Sequence, residues 1–114
     1  VMIELSADEI AAAREADPIF AQTSLSAGIY DGVAETTVLG VPNVLVVSSE
    51  MPEELAYDLA RTMFENIADL RAVHPAANET TVEFTLAATP IPLHPGAIRY
   101  FEETGAEIAD HLRP

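Results

Sequence analysis

The chain has 114 residues, 49% of them hydrophobic, a mean hydropathy of +0.19 and no cysteine. That is one domain's worth of sequence with enough apolar material for a packed core, and it excludes a disordered chain, a disulfide framework and a thiolate metal site. Five arginines against nineteen carboxylates leave a formal charge of −14, spread along the sequence, which describes a solvated acidic surface and argues against nucleic acid or anionic membranes as partners.

In chain order, Met2 to Leu5 alternates weakly and reads as a short strand entered in mid-course. Ser6 opens Ser-Ala-Asp-Glu, a capping box in which Ser6 and Glu9 satisfy each other's backbone donors, so a short helix is predicted to about Glu15. Asp17-Pro18 stops it, because the residue before proline is pushed out of the helical region. Ile19 to Val33, with glycines at 28 and 32, reads as an extended segment with turns, and Glu35 to Leu39 as a second, β-branched one. The run Val44-Leu45-Val46-Val47, bounded by Pro42-Asn43 and Ser48-Ser49, has the pattern of a strand buried on both faces.

A single long helix is predicted next, from Pro52 to Arg71. Pro52 suits a first helical position, and Glu53 and Glu54 place negative charge at the positive end of the helix dipole. Leu55, Leu59, Met63, Ile67 and Leu70 recur at helical spacing, with Ala56, Ala60, Phe64 and Ala68 on the adjoining stripe, which makes a face wide enough for a core. His74-Pro75 ends the helix. Thr80-Thr81-Val82-Glu83 is a second candidate capping box; TTVEFTL can be a helix to about Ala88 or a strand, and the helix is favoured. Three prolines hold an extended approach from Pro90, Pro95 starts a helix carrying Ala97, Ile98, Tyr100 and Phe101, Gly105 ends it, and AEIADHL closes the chain with a last turn or two. Strand followed by helix is the unit of an α/β protein.

No enzyme motif is present: G-x-S-x-G, GxGxxG, the P-loop and H-E-x-x-H are all absent. His74, His94 and His111 lack the i, i+4 spacing of a metal pair, and His94, between Leu93 and Pro95, reads as a structural hydrogen-bonder. The carboxylates are unfocused. No metal, cofactor or catalysis is therefore expected. What remains is binding, through Thr23, Ser24, Gly28, Tyr30, Thr36, Thr37 and Asn43 ahead of the long helix: hydroxyls, an aromatic ring and amides near glycine suit a small polar or anionic ligand. On composition alone the same residues read rather as strand formers and a core-edge tyrosine, and none of the five arginines sits in that region.

Three blocks carry a family resemblance: LSAGIYDG at 25–32, GVPNVLVVSSEMPEELAYDLARTMFENIADLRAVHPAA at 40–77, and IPLHPGAIRYFEETG at 91–105. In order and spacing they resemble the C-terminal third of the solute-binding proteins of TRAP transporters, in particular the TAXI subfamily, over roughly two-thirds of the chain. The resemblance implies an α/β, two-lobed periplasmic-binding-protein fold, type II-like, of which this is a C-terminal portion: about residues 1–50 a strand-rich lobe or hinge segment, 51–114 a helical segment. It implies capture of a glutamate-like amino acid, glutamine or a dicarboxylate, periplasmic location with an export signal in the full-length protein, and delivery to TRAP membrane permease subunits. Tyr30 and Asn43 fall in the matching blocks and become the leading pocket or hinge residues, with His94 expected to anchor its loop. A fragment lacking the other lobe can also complete its core by self-association. An acidic module docking a basic protein partner is the alternative reading.

Overall fold

The computed structural model describes residues 3–114, which form two compact units divided between Asn43 and Val44.

In the first unit, helix α1 (Ala7–Ala16) begins at Ser6, where the predicted capping box is complete: the Ser6 hydroxyl accepts from the Glu9 amide at 3.3 Å, and Glu9 accepts from the Ser6 amide at 2.9 Å. Asp17 ends the helix in extended backbone, as its proline neighbour requires. Strands β1 (Ala21–Leu25) and β2 (Thr36–Gly40) follow and pair antiparallel in a two-stranded ribbon, Ala21 opposite Gly40 and Leu25 opposite Thr36. Alternation places Ala21, Thr23 and Leu25 on the inner face, where Ala21 and Thr36 are buried, and Gln22 and Ser24 on the outer. Ile10 is the buried residue of α1. Residues 3–5 form no strand, and Met2 lies outside the described residues.

The second unit is built on two helices, α2 (Glu53–Glu65) and α5 (Pro95–Glu103). Their seam is aromatic. Phe64 stacks on Tyr100 with centroids 6.0 Å apart and meets Phe101 edge-on at 5.3 Å, while Tyr57 meets Tyr100 edge-on at 6.1 Å. Such contacts contribute roughly 0.5–1.5 kcal/mol each beyond area burial. Ile98, Ile108 and Leu112 complete the buried cluster, and the Leu93 amide donates to the Leu112 carbonyl at 2.8 Å, tying the C-terminal 3-10 turn to the segment before α5. Gly96 is what lets the helices come so close: a Cβ there would lie 2.2 Å from the Glu53 carbonyl oxygen and 2.7 Å from the Tyr57 nitrogen.

Several expectations are corrected in this unit. The run Val44–Val47 is not a buried strand: it carries no regular structure and Leu45 is 73% exposed, because no strand among the unit's described residues offers it a hydrogen-bonding edge. The long helix is two, α2 and α3 (Ile67–Val73), broken at Asn66, whose side-chain amide donates to the Thr62 carbonyl at 2.8 Å and competes with the helical ladder. Only half of the apolar arc on α2 reaches the core. Ala56 is buried, and Tyr57, Ala60 and Phe64 pack against the cluster, while Leu55 and Leu59 stay exposed, as does Leu70 on α3. A one-residue shift also separates expectation from structure at each start: Pro52 caps α2 rather than entering it, and Thr81, not Thr80, caps α4 (Val82–Ala88) by accepting from the Phe84 amide at 3.1 Å. TTVEFTL is thus helical, but its box is not reciprocal, since phenylalanine occupies the third helical position.

Candidate functional site

The polar residues singled out from the sequence lie in the first unit, on the ribbon and its connection. Ser24 stands opposite Thr37, so both point to the outer face together with Gln22. The Ser24 hydroxyl donates to Glu35 at 2.8 Å. Thr23, opposite Val38, faces inward and lies against Gly40, where an added Cβ would sit 2.9 Å from the Thr23 methyl group. Thr36 is buried with its hydroxyl donating to the Ala34 carbonyl at 2.9 Å, which makes it part of the framework rather than of a site.

The connection from Ser26 to Glu35 carries Gly28 and Gly32 at φ of 90° and 74°, a backbone that other residues adopt at a cost. Between them Tyr30 is 56% exposed, and its carbonyl accepts from the Val33 amide at 3.1 Å, so the ring is presented by a formed turn. It is not a core-edge aromatic. Asn43 is exposed at the last position of the unit.

A cleft of about 480 Å³ opens between the start of α1 and the ribbon, lined by Glu4, Leu5, Ser6, Ala7, Ile10, Gln22 and Thr37. Of the sequence candidates only Thr37 lines it. Gln22 and Glu4 were not singled out from the sequence, although the alternation through Gln22 and Ser24 already puts Gln22 on the outer face. Glu9, in the first turn of α1 and not part of that lining, has its carboxyl held below the usual carboxylate range by hydrogen bonds from the Ser6 amide and hydroxyl.

In the second unit His94 does what its sequence position suggests. Its Nδ1 accepts from the Gly96 amide at 3.2 Å, which leaves the proton on Nε2 to donate to the Met51 carbonyl at 3.0 Å. One imidazole therefore caps α5 and ties it to the turn before α2. Arg99 reinforces the same seam, bidentate on Glu54 at 2.8 and 3.1 Å, within 3.1 Å of Glu53, and 4.1 Å from the Tyr57 ring centroid. These contacts hold the helices together, which is a structural role.

A family model, the NMT1-like family, matches residues 1–105, which include the ribbon, the Tyr30 turn and the His94–Gly96 helix start. The chain belongs to the NMT1-like family. The NMT1-like proteins are related to the periplasmic binding proteins of transporters, and membership points to solute binding in transport at an extracytoplasmic location. No helix among the described residues is long and apolar enough to cross a membrane.

Proposed function

We propose that this chain is the C-terminal part of a two-lobed, type II-like periplasmic receptor of a TRAP transporter, of the TAXI subfamily, that captures a small amino acid or organic acid and passes it to the membrane permease without chemistry on the solute. The observation that carries the reading is the extent of the family match: residues 1–105 contain all three resembling blocks, 25–32, 40–77 and 91–105. The ribbon supports it, offering Ser24 and Thr37 on one face and an exposed Tyr30 on a formed turn, which are groups that orient a polar solute by hydrogen bonds and ring contact. Thr23, Gly28 and Asn43 serve as the frame of that site. Capture proceeds by closure of two lobes about a hinge.

A thermal-shift screen of the chain against L-glutamate, L-glutamine, succinate and 2-oxoglutarate, at low and high salt, tests this. A solute at 100 times its Kd adds about 2.7 kcal/mol, a shift of many degrees for a chain of this size. A selective shift that survives high salt is expected. A chain that responds to none of these solutes but binds a basic protein with steep salt dependence is instead an acidic docking module.

A further inference from the structure

Two His-Pro pairs start helical turns in the second unit, and they are built differently. His74 accepts from the Ala76 amide through Nδ1 at 3.1 Å and starts the exposed 3-10 turn Pro75–Glu79, with no other hydrogen bond of its ring among the described residues. His94 is half-buried and uses both ring nitrogens. Its Nδ1 accepts from the Gly96 amide at 3.2 Å and its Nε2 donates to the Met51 carbonyl at 3.0 Å, so one ring joins the start of α5 to the turn before α2. Only the neutral ring with its proton on Nε2 makes that pair of bonds. A second proton goes to Nδ1 and turns the acceptor into a donor facing the Gly96 N–H. It also sets a positive charge at the positive end of the α5 dipole. Both effects oppose the contact at the position where α5 approaches the Glu53 and Tyr57 backbone most closely.

The charges around the ring do not offset this. Glu50 adjoins Met51 in the turn, Glu53 and Glu54 open α2, and Arg99 lies in the second turn of α5. Asp110, His111 and Arg113 belong to the C-terminal turn that Leu112 ties to Leu93. Arg99 draws Glu53 and Glu54 to itself, Arg113 draws Glu102, and no salt bridge to His94 is formed among the described residues, where Glu50 and Asp110 are exposed. We infer that His94 is a proton-operated tie between α2 and α5. It holds the two helices together while the ring is neutral and releases the start of α5 when the ring takes up a proton, so that the second unit loosens as pH falls. The inference does not depend on what the first unit binds.

Imidazoles change charge between about pH 8 and pH 5. Of the other groups on the seam, Glu54 is held below 4.5 and Tyr57 above 10.0, outside that interval. Thermal unfolding of the full chain is followed across it in the native sequence, in His94→Asn, which keeps an amide-accepting oxygen at every pH, and in His74→Asn. His111 is common to all three. The native Tm should fall by about 4–8 °C toward pH 5, the shift that loss of one helix cap produces in a unit of this size. His74→Asn should fall as far as the native chain, and His94→Asn clearly less. In the folded native chain, the ring-nitrogen shifts of His94 and the amide shifts of Gly96 should change together with one midpoint. Parallel falls in the native chain and His94→Asn overturn the tie. So does a Gly96 amide that stays still while the His94 ring protonates, or a ring that stays neutral down to pH 5 in the folded chain.

Discussion

Replacing Gly96 by alanine should uncouple the two helices of the second unit. In an isolated helix the change is favourable by about 1 kcal/mol, because glycine loses more backbone freedom on ordering. Here the new Cβ would sit 2.2 Å from the Glu53 carbonyl oxygen, 2.7 Å from the Tyr57 nitrogen and 3.0 Å from the Ala56 Cβ. Two of those atoms are backbone and cannot swing aside as a side-chain tip would, so α5 must move off α2. Overpacking typically costs about 1–3 kcal/mol, and a backbone clash belongs at the upper end or above it. The movement also stretches the hydrogen bond from His94 to Met51 and the Arg99 pairs with Glu53 and Glu54, which span the same seam. After the helix gain is subtracted, a net loss of about 2–3 kcal/mol is expected, and for a unit of this size each kcal/mol lowers Tm by roughly 4–8 °C. Urea titration followed by far-ultraviolet circular dichroism reads it directly. An alanine variant as stable as the parent, or more so, would refute the close approach of α5 to α2.

Four further outcomes follow from the same structure. Phe64→Ala removes a ring that touches both Tyr100 and Phe101; since Phe64 is only half-buried, about 2–3 kcal/mol is expected in denaturant titration, at or below the usual range for a core phenylalanine, and less than about 1 kcal/mol would mean that the aromatic seam is not formed. His94→Ala should cost about 1–3 kcal/mol through loss of the cap and of the tie to Met51, whereas His94→Asn, which keeps a capping oxygen but cannot span to Met51, should recover only part; full recovery in the asparagine variant would show that the Met51 contact contributes nothing, and equal losses that the cap contributes nothing. The bidentate Arg99 contact holds the Glu54 carboxyl below the ordinary carboxylate value of 4.5, so its contribution is present above that pH and lost as pH falls through the lowered folded-state value. Glu54→Gln should therefore flatten the fall in Tm below pH 4.5, and an unchanged acid profile would count against the pair. Tyr30→Ala, at an exposed turn, should leave Tm within about 1 °C of the parent while weakening solute binding, and unchanged affinity by calorimetry would remove the ring from the site.

The parts of the fold legible in the sequence were those governed by local chemistry. The Ser6–Glu9 box, the Asp17-Pro18 stop, the Pro95 helix start and the Gly105 end each depend on a few adjacent residues and stand where the sequence puts them. The two extended segments were also visible, although their pairing register was not, because antiparallel register is fixed by contacts across a connection of ten residues. What failed was inference from apolar content to burial. Val44–Val47 and the Leu55, Leu59 and Leu70 stripe are as apolar as any core segment, but burial needs a covering element, and composition does not say whether one is present. Asn66 falls inside the predicted Pro52–Arg71 helix at a spacing that fits it; its side chain instead competes for the Thr62 carbonyl, a local event that periodicity averages away. Of the candidate site, the outward pairing of Ser24 with Thr37 and the exposure of Tyr30 appear only once the ribbon is assembled. Gln22 and Glu4 gain interest solely from the cleft that α1 and the ribbon enclose.

Calorimetric titration of the protein with L-glutamate is the most direct test of the receptor account. Saturable binding, and no consumption or conversion of the solute on prolonged incubation, is the predicted result. Absence of binding to every amino acid and small organic acid tried, or turnover of the one that binds, would contradict it.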